Sequence, residues 1–131
     1  DQNAEQLRQG SALLAADYGF RSAVNSGDEE TIQSVLENHG SRIGAAVTAL
    51  LGTDLTLRAV SLTGSMDQFP VTLQQVVPRL AQQPQGSQIA VMDGIPYQFV
   101  MVPMRAPVVI GWVLMGFRID QSRADEMRQL V

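Results

Sequence analysis

The side chains best suited to hold a small ligand lie mainly on segments that the sequence predicts to be β-strands. Tyr97 and Met101 are four residues apart, so the two-residue period of a strand places them on one face. Trp112 is the single tryptophan and lies in the middle of another predicted strand. Arg58 and Arg105 could bind an anionic ligand through paired hydrogen bonds. The alternative is that Tyr97 and Trp112 belong to the core and that both arginines are solvated.

The sequence lacks the residue sets that catalysis or metal binding needs. It contains no cysteine and one histidine, His39, whereas a zinc site needs three or four ligands. No glycine-rich phosphate loop, calcium loop or nucleophile–base pair is present. We therefore predict no enzyme activity, no metal and no cofactor. His39 lies on the apolar face of a predicted helix, where a packed histidine is favoured over a pH switch or a ligand.

Composition and charge predict a single globular domain spanning residues 1–131. Apolar residues make up 45 % of the chain and charged residues 17 %, which is enough to form a hydrophobic core. The net charge is −4, and all nine basic residues are scattered arginines. Nucleic-acid binding is not expected, because it requires clustered basic residues.

Apolar periodicity predicts two long N-terminal helices, over residues 4–25 and 28–51. Gly27 fits a left-handed cap after the first helix, and Asp28 fits the N-cap of the second. Asp17 is predicted to pair with Arg21 at helical spacing.

The first helix also carries a possible dimer contact. Leu7, Leu14 and Arg21 recur every seven residues, a spacing that suits contact with a second copy of the same helix. We therefore predict a weak homodimer through residues 4–24.

The remainder of the chain predicts a small antiparallel sheet over residues 54–117. Its elements are a strand at 54–62, a helix at 71–82 that Pro78 either kinks or divides into two short pieces, a hairpin of 89–92 and 97–102 around Asp93-Gly94, a turn at 103–107, a strand at 108–117 and a final helix at 120–131. The predicted fold class is α+β, with both long helices packed on one face of the sheet.

Three stretches of the sequence form a recognisable set. They are Asp17–Val24, Gly27-Asp28 with Glu37–Ala45, and Pro96–Val100 with Pro103, Ala106-Pro107, Gly111–Val113 and Met115–Phe117. Together they resemble the periplasmic input domain of membrane-bound bacterial diguanylate cyclases and phosphodiesterases, which is similar to the Cache (PAS-like) sensors of histidine kinases and chemoreceptors. The resemblance runs from about Leu7 to Val131.

The resemblance implies a periplasmic domain of an inner-membrane protein. It implies flanking transmembrane helices, continuous with the first and last helices, and a cytoplasmic output enzyme that controls cyclic-di-GMP turnover. In Cache-like sensors a small-molecule ligand lies against the sheet, held by side chains such as the five candidates above. The alternative function is a dimerisation or protein-interaction module whose pocket is filled by its own side chains.

Overall fold

The structure is a computed structural model that describes residues 2–64 and 67–119. The predicted final helix at 120–131 lies outside the described residues. The elements in chain order are α1 (Gln2–Ala15), α2 (Tyr18–Ser26), α3 (Glu29–Ile43), β1 (Val47–Leu51), β2 (Leu57–Leu62), α4 (Phe69–Gln82), β3 (Gln88–Met92), β4 (Ile95–Arg105) and β5 (Val109–Arg118).

The predicted helix at 4–25 is in fact two helices, α1 and α2. The chain leaves the helical path at Asp17, whose backbone is extended and whose Oδ1 accepts a hydrogen bond of 2.8 Å from the Phe20 backbone N–H. Asp17 is therefore the N-cap of α2. Its predicted pairing with Arg21 is wrong, because the Arg21 guanidinium instead donates to the backbone carbonyl of Arg105.

The predicted helix at 28–51 was correct at its start and wrong at its end. Asp28 caps α3 by accepting from the Thr31 backbone N–H, but the helix stops at Ile43, because Gly44 adopts a left-handed conformation with φ 75°. The following residues form strand β1, which is buried along its whole length. Its continuous apolar sequence fits a helix face and a doubly covered strand equally well.

The five strands form one antiparallel sheet in the order β2-β1-β5-β4-β3, which confirms the predicted α+β class. Helices α1, α2 and α3 cover one face of this sheet, here called the N-terminal face. Helix α4 covers the other, the α4 face. Alternate residues of the central strands serve the two cores. Val100, Val102, Val113 and Met115 face α1–α3, and Phe99, Met101 and Leu114 face α4.

Two prolines, Pro103 and Pro78, lie inside a strand and a helix that were predicted to end or to be interrupted near them. The predicted turn at 103–107 is wrong at its start, because β4 continues through Pro103 to Arg105. β3 pairs with β4 only up to Phe99, so among residues 2–64 and 67–119 no strand lies beside β4 on that side at Pro103. The missing N–H of Pro103 therefore removes no ladder bond there. Helix α4 contains Pro78 and still runs unbroken from Phe69 to Gln82.

Two glycines on facing helices should respond in opposite ways to the same substitution. A Cβ at Gly10 in α1 would lie 3.9 Å from the nearest side-chain atom, whereas one at Gly40 in α3 would lie 2.2 Å from Thr48 Oγ1. Gly10→Ala should raise the free energy of unfolding by about 0.5–1 kcal/mol, because alanine is the better helix former. Gly40→Ala should lower it by about 1–3 kcal/mol through overpacking against β1.

Urea denaturation of both variants checks this prediction. Thr48→Ala should recover part of the loss in the Gly40→Ala background, since it removes the atom that clashes. A Gly40→Ala variant as stable as Gly10→Ala would contradict the close approach of α3 to β1.

Candidate functional site

Three of the five candidate ligand-binding residues share the α4 face of the sheet. Tyr97 and Met101 lie on β4 and are buried there, on one face as the strand period predicted. Trp112 lies on β5 between Leu51 and Pro103 and is half-buried against the same core. Met101 is fully buried in the core with α4, and Trp112 packs against that core from its edge. Tyr97 belongs to the same core and also borders an open pocket of about 380 Å³, which Thr63 and Arg118 line as well.

The two candidate arginines lie apart from this face and from each other. Arg58 pairs with Glu29, at the start of α3, over 3.6 Å. Arg105 lies at the far end of β4, where its backbone carbonyl accepts a hydrogen bond of 3.0 Å from Arg21 Nη1. Three strand spacings, roughly 14 Å, separate β2 from β4. The structure therefore does not bring Arg58 and Arg105 together around one anion.

An open cleft on the α4 face is the strongest candidate for a ligand site. It has a volume of about 500 Å³ and lies between α4 and the turn that joins β1 to β2. This volume falls within the range of small-molecule sites. We call it the apolar cleft, and its lining residues are Leu55, Thr56, Leu57, Leu73, Gln74, Val77 and Pro78. Five of these seven side chains are apolar, and Thr56 and Gln74 supply hydrogen-bonding groups at its edge.

The β1–β2 turn presents Leu55 to the cleft through an unusual backbone conformation. Leu55 has φ 67°, a left-handed value that costs a bulky residue about 1–3 kcal/mol. Hydrogen bonds hold it there: the Leu55 N–H donates to the Gly52 carbonyl over 2.9 Å, and the Gly52 N–H donates to the Thr56 carbonyl over 2.8 Å. The wall of the cleft is thus a closed, preformed turn.

The exposed side chain of Asp54 stabilises the same turn through hydrogen bonds. Its Oδ1 accepts from Thr56 Oγ1 over 2.7 Å and from the Thr56 backbone N–H over 3.1 Å. These bonds, the hydroxyl bond foremost, lower the pKa of Asp54 below its usual 3.8. A lowered folded-state pKa means that the ionised carboxylate stabilises the turn above the unfolded pKa. That contribution is lost only as the pH falls through the folded value.

Helix α4 contributes a second local feature to the cleft. Pro78 has no backbone N–H, so the carbonyl of Gln74 cannot receive the usual helical bond from residue 78. Both residues line the cleft. Sequence reasoning identified Pro78 and the apolar residues of this helix. No sequence signal placed them against Leu55 and Leu57, because that contact depends on how α4 crosses the sheet.

The described residues provide no metal centre. No group of three or more His, Cys, Asp or Glu side chains within residues 2–64 and 67–119 could hold an ion. His39 is half-buried against α1, with Nε2 3.5 Å from the carbonyl oxygen of Gly10. That contact agrees with the interpretation of His39 as a packed residue.

Comparison with known protein families identifies the family to which this α+β domain belongs. Residues 1–131 match the family dCache_3, described as the double sensory domain of two-component sensor kinases. The chain belongs to this Cache family. No curated protein matches it.

Membership in this family assigns the domain to a sensory class. The Cache domain is a sensory, signal-input domain, and its α+β antiparallel fold is the one that the resemblance implied. None of the helices in the described part of the chain is long and apolar enough to cross a membrane.

Proposed function

We propose that this Cache domain is the extracytoplasmic input domain of a bacterial transmembrane signalling protein and that it binds a small, mainly apolar ligand in the apolar cleft. The observation that carries the proposal is the cleft itself: it is wide enough for a metabolite, and one of its walls is a strained turn that is closed by hydrogen bonds. Strained residues held in place by surrounding bonds cluster at ligand clamps and switch regions. The domain has no catalytic activity of its own in this proposal.

The central sheet offers a route from the cleft to the N-terminal helices. Leu57 lines the cleft, and it lies in one row across the sheet with Leu51 and Trp112. Residues next to this row in β4 and β5, such as Val102 and Val113, pack on the opposite face in the core formed with α1. A ligand that binds two positions of α4 unequally would shift the sheet against α1.

The cellular context of the proposal comes from the resemblance and the family. We propose a periplasmic location, transmembrane helices on both sides and an output enzyme that controls cyclic-di-GMP turnover. The family's description names sensor kinases, and a kinase output would use the same transmission through the terminal helices.

A homodimer through α1 remains part of the proposal, with different contact residues. Leu7 and Leu14 are buried in the domain's own core, at 7 % and 1 % exposure. The exposed side of α1 presents Gln6, Gln9 and Leu13 instead. Two copies of this side would form a two-fold contact, and membrane anchors would raise their local concentration.

The second candidate function is a protein-interaction module without a small-molecule ligand. It is favoured by the filled space beneath α4, where Phe99, Met101 and Leu80 are almost fully buried. The two functions differ in whether the apolar cleft binds small molecules.

A matched pair of substitutions tests the apolar cleft. Gln74 lines the cleft and Gln75 does not, and both side chains are exposed on α4. Gln74→Trp should fill the cleft without disturbing the core, whereas Gln75→Trp should leave it open. A melting-temperature screen with medium-chain fatty acids and indole as probes should find one that stabilises the wild type, because a ligand bound only to the folded state raises the melting temperature.

The stabilisation should vanish in Gln74→Trp and persist in Gln75→Trp. A probe that stabilises all three proteins equally binds elsewhere and contradicts the assignment of the cleft. The absence of any stabilising probe would favour the interaction module.

A further inference from the structure

A second cleft, on the N-terminal face of the sheet, is lined by three arginines. It has a volume of about 300 Å³ and lies between the end of α1, the start of α2 and the far end of β4. We call it the arginine cleft, and its lining residues are Arg8, Ala12, Ala15, Ala16, Arg21, Val102, Pro103 and Arg105. The three alanines keep its floor free of large side chains. Each of the three arginines comes from a different element.

Backbone carbonyls fix two of these guanidinium groups and leave donors unused. Arg8 Nη1 donates to the carbonyls of Pro84 and Met101, the latter over 3.1 Å. Arg21 Nη1 donates to the Arg105 carbonyl over 3.0 Å. A guanidinium carries five N–H donors, so each group retains several for another partner. Both side chains are thus positioned in advance for a ligand.

One of the unused donors is buried. Nε of Arg21 is shielded from solvent and has no hydrogen-bond partner within the described part of the chain. A buried donor without an acceptor costs free energy, and such an atom in a folded protein commonly marks the place of an ion or a water.

The charges around the cleft are unbalanced as well. Within residues 2–64 and 67–119, none of Arg8, Arg21 and Arg105 has a carboxylate within 4 Å, and Asp17, four residues before Arg21, is engaged as the N-cap of α2. The C-terminal carbonyls of α1 supply only partial negative charge. Three cations around one small cleft repel each other in a chain whose net charge is −4.

We propose that the arginine cleft binds a small soluble oxyanion with at least two negative charges, either a polycarboxylate or a phosphate ester. Both chemistries present paired oxygens that match the guanidinium fork. An anion there would accept from Arg21 Nε and relieve the repulsion among the three cations. It would also connect α1 and α2 to the end of β4, so its binding would stiffen the contact between the N-terminal helices and the sheet. This site lies on the opposite face of the sheet from the apolar cleft and does not depend on it.

A soluble anion fits this cleft better than an anionic membrane surface does. The cleft is concave and its volume of about 300 Å³ suits one small molecule, whereas lipid recognition uses basic residues spread over an exposed patch. The net negative charge of the domain also opposes its approach to an anionic bilayer.

Isothermal titration of the 131-residue chain with sodium pyrophosphate and with sodium citrate tests the proposal, against sodium chloride at equal ionic strength. At least one of the two anions should bind, and the tighter one identifies the phosphate or the carboxylate class. Binding should weaken as salt rises, because the pairing is electrostatic.

Arg105→Gln is the principal variant, since its side chain is exposed and its carbonyl contact with Arg21 stays in place. This variant should keep the wild-type melting temperature. Its affinity for the anion should fall by about tenfold or more, as expected for the loss of a charge-assisted hydrogen bond. Ala12→Glu should also abolish binding, because the new carboxylate would occupy the cleft. Arg79→Gln on α4 is the matched control and should bind as the wild type does.

Three results would overturn the proposal. The first is no binding of either anion beyond that of chloride. The second is equal weakening by Arg79→Gln and Arg105→Gln, which would mean a diffuse charge effect. The third is binding to vesicles that contain phosphatidylglycerol without binding to either soluble anion. None of these results bears on ligand binding in the apolar cleft.

Discussion

Leu14→Arg is expected to unfold the domain. Leu14 is 1 % exposed and belongs to the core between α1 and the sheet, together with Phe20 and Ile32. An arginine there would place an unpaired charge in an apolar interior, which costs several kcal/mol beyond the packing that is lost. Because domains of this size are stable by only about 5–15 kcal/mol, most or all of the folded population should disappear. Circular dichroism and a urea titration at 25 °C measure the effect.

Leu13→Arg is the matched control, one residue away on the same helix. Leu13 is 70 % exposed, so the same charge meets solvent and the free energy of unfolding should change by less than about 0.5 kcal/mol. If two copies associate through the exposed side of α1, this variant should lose the dimer while remaining folded. Sedimentation equilibrium separates the two effects. A folded, monomeric Leu14→Arg protein beside a dimeric wild type would instead support a dimer contact through Leu7, Leu14 and Arg21, as their seven-residue spacing predicts.

The position of Leu14 shows what a helical stripe can and cannot predict. A seven-residue repeat identifies which side chains share a face, and Leu7 and Leu14 do share one. Whether that face contacts a second copy or the chain's own sheet depends on elements that arrive later in the sequence. Here β4 and β5 cover it, so the exposed side of α1 carries Gln6 and Gln9 instead.

The two incorrect helix predictions have a common physical cause. Asp17 suits a helix surface as well as an N-cap, and only the extended backbone at that residue distinguishes the two roles. The sequence of β1 likewise suits a buried helix face or a strand that is covered on both sides. The left-handed Gly44 decides between them, and a glycine inside an apolar pattern predicts a cap only weakly.

The sequence predicted which candidate residues share a strand face, and it did not predict which arginines lie together. The strand period correctly placed Tyr97 and Met101 on one face, because that inference is local. The grouping of arginines was not local. Arg105 lines one cleft with Arg8 and Arg21 only because α1 and α2 pack beside the end of β4. Arg58 instead forms an ion pair with Glu29 at the start of α3. Such groupings follow from the topology of the sheet.

Leu36→Ala should cost about 2–5 kcal/mol of unfolding free energy, the range observed when a buried leucine leaves a cavity. Leu36 is fully buried at the centre of α3, in the core that α1, α2 and α3 form with the sheet. Two contributions should make up this loss: the free energy gained in the wild type by burying the methyl groups, and the cost of the cavity that the surrounding side chains fail to fill. The midpoint of urea denaturation should fall while the slope with denaturant stays the same, since the surface exposed on unfolding is nearly unchanged.

Leu13→Ala provides the comparison, because it makes the same change in a helix at an exposed position and should shift stability by less than about 0.5 kcal/mol. The difference between the two variants then measures burial alone, with helix propensity cancelled. If Leu36→Ala matched Leu13→Ala, α3 would not be packed into the N-terminal core. A large difference would establish α3 as a fixed part of that core. The N-terminal face would then be a rigid support for α1, so that a displacement of the sheet produced at the apolar cleft would reach α1 without being absorbed by loose packing.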